Sequence, residues 1–317
     1  MTKRALGRTG ISIAPLVLGG NVFGWTADKK TSFDLLDRFA EAGLDAIDTA
    51  DAYSRWVPGN SGGESETIIG EWMKSRGNRD KVVVITKVGS DMGQGRKDLS
   101  AKWILEEVEA SLRRLRTDHI DVYLSHWHDP ETPYAETLGA YDKLLKAGKV
   151  RSIGASNHDA SQLREALDVA KSQGLPRYEV LQPEYNLYDR GSFDGALSEL
   201  ASAEGLGVIT YFSLARGFLA GKYRSEADLG KSPRGGGVSG YLNPRGYAIL
   251  AALDAVSAKH GAQPAEVALA WVIARPEVTA PIASATSLDQ MDSLIRAVSL
   301  DLDPDDIVQL DRASAPS

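Results

Sequence analysis

The sequence predicts a (β/α)8 barrel, and three observations carry that expectation. Eight short runs rich in apolar and β-branched residues recur along the 317-residue chain. Amphipathic stretches of helical length lie between them. Each run is nearly continuous in apolar residues, as in strands buried on both faces of a parallel sheet. Eight alternations of strand and helix fit a closed barrel better than a doubly wound sheet, which usually has fewer strands.

The elements follow in order. The opening RALGRTGISI reads as a small hairpin turning at Gly7–Gly10, placed to cap the barrel bottom. The first strand is PLVLGG from Pro15, with a helix over 31–43. The second is DAIDTA from Asp45, with a helix over 64–76. A Gly/Ser-rich insertion from Ser54 lies between these two, expected to be mobile or to touch substrate. The third strand is KVVVITKV from Lys81. In the helix from Ser100 to Arg116, Trp103, Val108, Leu112 and Leu115 recur near helical spacing, with Glu106, Glu107, Arg113 and Arg114 mostly opposite. HIDVYLSH from His119, VRSIGASN from Val150 and EVLQPEYN from Glu179 are the next three strands, with helices over 133–147, 159–173 and 193–204. The seventh strand is LGVITYFS from Leu206, and roughly sixty residues separate it from the eighth, VTAPIASA from Val278. Most of 214–243 is rich in Gly, Ser, Arg and Lys, and a connection that long inside a compact domain is functional or disordered. Pro244–His260 reads as an extra helix, 264–274 and 287–299 as barrel helices, and a final helical stretch starts at Pro304. No linker or repeat beyond the βα period interrupts this order, so one domain over 1–317 is expected.

Composition narrows the function. With 43% apolar and 25% charged residues the chain is of ordinary globular make-up. It has no cysteine, which excludes a disulfide scaffold, thiolate catalysis and cysteine-ligated zinc. A net charge of -7 argues against a sequence-independent grip on nucleic acid. No stretch approaches the ~20 apolar residues of a membrane span, and the first residues lack the apolar core of a signal peptide. A soluble, cytoplasmic protein with a small-molecule partner is expected, with neither nucleic acid nor membrane involved.

In a barrel the C-terminal strand ends carry the active site. Those ends hold Asp48 with Tyr53 five residues on, Lys87, His126, Ser156 with Asn157, Gln182 and Tyr211. A tyrosine hydroxyl can protonate a carbonyl oxygen while hydride reaches the carbon. Its free pKa of about 10 lies about 3 units above neutrality. A neighbouring Lys ammonium favours the phenolate, and an Asp pairs and orients that Lys. A His positions the carbonyl or relays the proton. His126 and His128 flank Trp127 and face the same way only if the strand continues; His126 is taken as the site residue. Surface or capping roles are expected for His119, His158 and His260. His126-x-His128 superficially resembles a metal-ligand pair, but hydrolase barrels carry that pair on the first strand, so no metal is expected. A glycosidase needs two facing carboxylates, and only Asp48 is well placed.

DTADAY, ITKVG, DVYLSHWHDPETP, IGASNH, LQPEYNLYDR and LARGFLAGKY, in this order and spacing from about Leu6 to Asp311, resemble the aldo-keto reductase family. The likeness is to its bacterial and channel-beta-subunit-like branch. The resemblance implies a (β/α)8 barrel and an NAD(P)H-dependent oxidoreductase that reversibly reduces aldehydes or ketones to alcohols. NADPH is the expected cofactor, with NADH possible. The family's catalytic tetrad carries over as Asp48, Tyr53, Lys87 and His126, with Tyr53 the general acid. The alternative is a redox-sensing regulatory subunit that binds the cofactor and turns over slowly.

Further roles follow from the same resemblance. Ser156, Asn157 and Gln182 would hold the nicotinamide carboxamide, Tyr211 would stack on the ring, and Gly20 and Asn21 would lie near the ribose. Phe212, Ser213, Leu214, Arg216, Gly217 and Lys222 match the pyrophosphate stretch, and Arg234 matches a basic residue closing over it. Ser284, Thr286 and Gln290 face the adenosine. The Arg that often grips a 2′-phosphate is absent at Thr286, and Ser293-Leu294 replace a Glu-Asn pair. Phe23, Trp25, Trp56 and Trp127, just beyond strand ends or in rim loops, would form an aromatic substrate pocket. The long C-terminal loop of steroid-reducing members is expected to be absent. Gly235, Gly237 and Gly240 satisfy G-x-G-x-x-G, but in a loop rather than between strand and helix, so they read as flexibility, a hinge for cofactor exchange, and not as a Rossmann site.

Overall fold

The computed structural model describes residues 2–232 and 235–315. Its centre is a closed barrel of eight parallel strands: β3 (Val17–Gly19), β4 (Ala46–Asp48), β5 (Val83–Val88), β6 (Ile120–Ser125), β7 (Val150–Ser156), β8 (Val180–Gln182), β9 (Gly207–Thr210) and β10 (Ala280–Ala283). β10 closes the ring by pairing with β3, Ile282 against Val17. All eight expected strands are present.

Helices α1 (Lys29–Glu41), α2 (Glu64–Arg76), α3 (Ala101–Leu115), α4 (Tyr134–Lys146), α5 (Ala160–Gln173), α6 (Ala196–Glu204), α8 (Pro264–Ile273) and α9 (Leu288–Val298) surround the barrel. α7 (Pro244–His260) and α10 (Pro304–Ser314) are additions that pack on one another. Local chemistry sets the helix ends. Asp28, Ser100, Asp159, Ser287 and Asp303 accept backbone N–H bonds as N-caps, satisfying donors that a helix start otherwise leaves free. Gly77, Gly174, Gly205 and Gly261 close α2, α5, α6 and α7 in the left-handed conformation. Among the described residues, no helix is long and apolar enough to cross a membrane.

Strand alternation divides the core in two. Inward positions such as Val17, Ala46, Ile85, Val122, Leu124, Val180, Ile209 and Ile282 fill the barrel interior. Outward ones such as Leu18, Ile47, Val84, Tyr123, Ile153 and Val208 join the helices in the larger core. The hairpin β1 (Arg4–Ala5) with β2 (Ser12–Ile13) plugs the bottom, adding Leu6 and Ile13 to the interior cluster. Gly7 makes the close approach possible: at φ 58°, a Cβ there would lie 2.4 Å from the Gly207 nitrogen.

Two connections are held in place by buried or hydrogen-bonded residues. The described residues of the 214–243 connection fold as short 3-10 turns pinned by buried Phe218, Leu219, Tyr223, Val238 and Tyr241. Gly235 is needed there for packing, since a Cβ would fall 1.7 Å from the Leu229 carbonyl oxygen. The insertion after Ser54 is likewise tied down, with Asn60 Nδ2 donating to the carbonyls of Gly24 and Ser54.

His158 is not at the surface. It is buried among His128, Tyr134 and Tyr178. Its Nδ1 donates to the Ser156 carbonyl at 2.9 Å, and its Nε2 has no partner among the described residues. Burial lowers its pKa from the ordinary 6.5 to about 4, so the folded protein holds it neutral. The unfolded chain takes up that proton more readily, so the stability from the neutral ring is intact above pH 6.5 and is lost as pH falls towards 4. Urea titrations should show roughly 3 kcal/mol of loss across that window from this ring, and His158→Phe should flatten it. An equally steep decline in the variant would refute the assignment.

Candidate active site

Inward alternation delivers one position per stave to the C-terminal rim. Above the apolar layers the next inward positions are Gly19, Asp48, Lys87, His126, Ser156, Gln182, Tyr211 and Ser284. The register explains how they meet. Asp48 pairs with Ile85, so Lys87 lies one inward step higher on β5. Lys87 pairs with Leu124, which puts His126 one inward step higher again. The His126 nitrogen extends the ladder by bonding to the Val88 carbonyl.

The charged centre is buried. Lys87 is fully buried and Asp48 nearly so. The Lys87 ammonium donates to Asp48 Oδ2 at 2.7 Å, to the Thr49 carbonyl at 2.8 Å and to the Tyr53 hydroxyl at 2.8 Å. Its three donors are thus all used. Gln182 Nε2 donates to the other Asp48 oxygen at 2.7 Å. The Tyr53 hydroxyl, having accepted from Lys87, has for its own proton a 3.4 Å contact with Asp48 Oδ2.

The electrostatics differ from the sequence expectation for Tyr53. Burial, and then the Asp48 charge, push its pKa well above the ordinary value. A Lys ammonium alone would favour the phenolate; here burial and the Asp48 carboxylate bonded to that ammonium act in the opposite direction. Burial lowers the Lys87 pKa, against the pull of Asp48. Burial, then the charges of Lys87 and Lys97, lower that of His126, leaving the imidazole neutral. Outside the barrel wall Asp51 is fully buried, with Oδ2 unpartnered among the described residues; burial and Glu66 push its pKa up. Glu66 itself is bound by Thr86 and Arg114.

A cavity of about 770 Å³ opens over this centre, within the range of small-molecule sites. Asn21, Asp48, Tyr53, Trp56, His126, Trp127, Ser156, Asn157, Gln182, Tyr211, Phe212, Ser213, Leu214, Arg216, Gly217 and Ser284 line it. The Tyr211 hydroxyl donates to Asn157 Oδ1 at 2.7 Å, and Asn157 Nδ2 to the His126 carbonyl at 2.8 Å. Ser156 Oγ donates to the Gln182 carbonyl, and Ser284 Oγ to Asn21 Oδ1 at 2.6 Å.

The far end of the cavity is a strained turn. Phe212, Ala215 and Arg216 have φ of 52°, 47° and 57°, each costing about 1–2 kcal/mol in a residue with a Cβ. Arg216 lies over the Phe212 ring at 4.4 Å. Lys222 comes close behind Gly217, its Nζ 4.0 Å from where a Cβ there would be. Among the described residues neither cation forms an ion pair with a carboxylate. Two unpaired cations beside a tight turn fit a pyrophosphate.

Other sequence-assigned residues lie away from the cavity wall. Phe23 is fully buried in the helix-side core, its carbonyl accepting from Ser54 Oγ at 2.7 Å. Trp25 packs edge-on against Trp56, which in turn meets Tyr53. Gly20 is buried, its carbonyl taken by Ser65; a Cβ there would lie 2.8 Å from Ser65 Oγ, so packing requires the glycine. Thr286 and Gln290 bond to each other at the surface. Arg234 lies outside the described residues. His128 turns to the Tyr134 hydroxyl at 3.0 Å, because the strand has ended at Ser125.

Sequence reasoning missed Gly19, Ala52, Arg55, Ser90, Asp91 and Glu184, all of which line the cavity. Glu184 had a signal: it follows Gln182 by two residues, and period two keeps a direction. Arg55, Ser90 and Asp91 are in rim turns, where no periodicity marks the inward side.

A sequence model of the Aldo/keto reductase family matches residues 15–315. The chain is 36% identical over 306 residues to the uncharacterized oxidoreductase YrpG of Bacillus subtilis, covering 94% of this chain and 91% of that one. It is 32% identical to a probable voltage-gated potassium channel subunit beta of Oryza sativa subsp. japonica, covering 95% and 92%. It is 31% identical to the norsolorinic acid reductase stcV of Emericella nidulans, covering 95% and 78%. Together with the barrel these matches define the class, an oxidoreductase of carbonyl compounds. The chain belongs to the aldo/keto reductase family, whose members generally use nicotinamide dinucleotides.

The buried pair yields a stability prediction. Asp48→Ala leaves the Lys87 ammonium without its carboxylate, and unpairing a buried charge costs about 3–5 kcal/mol. Denaturant unfolding should show that loss. Asp48→Leu combined with Lys87→Met should recover most of it, and a double variant less stable than Asp48→Ala would contradict this account.

Proposed function

We propose that this chain, as a single barrel domain, is an NAD(P)H-dependent reductase that reversibly converts aldehydes and ketones to alcohols, with Tyr53 as general acid. The observation that carries this reading is the bonding of Lys87. With all three ammonium donors fixed, one of them on the Tyr53 oxygen, the Tyr53 proton is held only by the long contact to Asp48. An arriving carbonyl oxygen offers it a better acceptor. Tyr53 must be protonated to act as the acid, and its raised pKa keeps it so near neutrality.

The residues present suit a nicotinamide dinucleotide. Asn157, Gln182 and Ser156 supply amide and hydroxyl groups beside Asp48 for a carboxamide. Tyr211 offers an aromatic face anchored through its hydroxyl. Ser213, Leu214, Arg216, Gly217 and Lys222 suit the pyrophosphate, and Asn21, Ser284, Thr286 and Gln290 the more distant ribose and adenosine. NADPH is the preferred form, with NADH the alternative since Thr286 stands where an Arg is common. The chemistry supplied by such a group when bound is a hydride for the carbonyl carbon.

The chain's own contribution is orientation and proton delivery. Trp56 and Trp127 give the carbonyl an apolar wall suited to aldehydes and small aromatic or aliphatic ketones. Tyr53 gives its hydroxyl proton to the carbonyl oxygen as that oxygen gains charge. Lys87, bonded to the same hydroxyl, stabilises the phenolate left behind, and Asp48 keeps Lys87 in place. Oxidation of an alcohol runs these steps in reverse. A second reading, a cofactor-binding regulatory subunit with slow turnover, draws support from the relative named as a channel beta subunit.

The test is loss of NADPH absorbance, and separately NADH absorbance, with 4-nitrobenzaldehyde. Tyr53→Phe should lower turnover about 10²–10⁴-fold, the usual contribution of a positioned acid, while cofactor still quenches tryptophan fluorescence. Quenching without turnover on any carbonyl would favour the regulatory reading, and no quenching would overturn both.

A further inference from the structure

Ser90 follows β5 by two residues, is nearly buried and lines the cavity. Its Oγ lies 2.9 Å from His126 Nδ1 and 3.2 Å from Trp127 Nε1. An indole N–H can only donate, so Ser90 Oγ accepts from Trp127. The serine's own proton is then available for His126 Nδ1. In a neutral imidazole one nitrogen donates and the other accepts, and the bond made by one sets the state of the other. Were Nδ1 to carry the ring proton, Ser90 would accept twice and its own proton would have no acceptor among the described hydrogen bonds. That arrangement is the poorer one in a nearly buried site.

The ring is held on its other sides as well. It stacks on Trp127 at 5.5 Å and 18°, and Tyr53 meets it edge-on at 6.0 Å. The Lys97 ammonium lies 4.5 Å from the Trp127 ring. The His126 main chain is fixed by Val88 on one side and Asn157 on the other. Nε2 is the ring nitrogen left without a protein partner among the described residues.

We infer that Ser90 is a positioning residue that fixes His126 as the Nε2–H tautomer, so that His126 presents a proton donor to the carbonyl oxygen beside Tyr53. The second half of this rests on the proposed carbonyl reduction; the first does not. Trp127 takes part by donating to one of the serine's two lone pairs, which directs the hydroxyl proton away from the indole and towards His126 Nδ1. The same indole therefore both walls the cavity and biases the orientation of the Ser90 hydroxyl.

Long-range ¹H–¹⁵N spectra of the labelled natural chain read the tautomer directly, with the His126 signals assigned by their loss in His126→Asn. The expected result is an unprotonated Nδ1 and a protonated Nε2. Ser90→Ala should shift the ring towards a mixture and lower kcat/KM for 4-nitrobenzaldehyde roughly 10-fold, the effect of about one hydrogen bond. Ser90→Thr, which keeps the hydroxyl, should restore both, and NADPH quenching should be unchanged in either variant. A protonated Nδ1 in the natural chain, or a tautomer that ignores Ser90→Ala, would overturn the inference. A Ser90-dependent Nε2–H in a chain that reduces no carbonyl would uphold the tautomer assignment and refute the proposed function instead.

Discussion

The Lys87–Asp48 pair is the constraint around which the upper barrel is arranged. Taking an ammonium and a carboxylate out of water costs several kcal/mol per ion after relaxation. That cost is offset only if each lone pair and each proton finds a partner. Thr49 therefore offers its carbonyl, Gln182 its amide and Tyr53 its oxygen, drawn from the end of β4, the turn after it, and β8, on the opposite side of the ring. A barrel can bring such distant segments together because its strands close on themselves. The hairpin plug and apolar layers beneath keep water from the pair, which strengthens its attraction.

Much of this was legible in the sequence. All eight strands, the extra helix Pro244–His260 and the helix over 64–76 follow from apolar runs, caps and turn residues. Asp48, Lys87 and His126 were legible because each stands at or next to the end of a buried run, where an apolar residue would continue the pattern, and Tyr53 followed from its spacing to Asp48. Phe23, Gly20, Thr286 and Gln290 show where position relative to a strand end is insufficient. Each lies close in sequence to a rim position, yet packing or a local bond turns it away from the cavity. His158 looked like a helix-start residue and proved buried, because rings from the loop after β6, from α4 and from the segment before β8 enclose it. None of those contacts is local in the chain.

The raised pKa of Tyr53 was also beyond sequence reasoning. A residue list can place a lysine beside a tyrosine, but whether its charge reaches the phenol depends on what else it pairs with. In the folded protein burial raises the phenol's pKa most, and the Asp48 charge adds to it. The glycine-rich stretch after Lys231 has a similar lesson. Composition suggested a hinge; it could not show that at Gly235 the Leu229 carbonyl occupies the space a Cβ would need.

The one-residue-per-stave delivery of side chains to the rim bears on how such a protein diversifies. The apolar rows hold the barrel together, and the polar row above them performs the chemistry. The two rows occupy different positions on every strand, so an exchange at the rim leaves the packing below untouched. A lineage can therefore trade reacting groups one stave at a time, with folding and chemistry answering to separate sets of mutations. The exception is the buried charge pair, whose two members must change together or not at all.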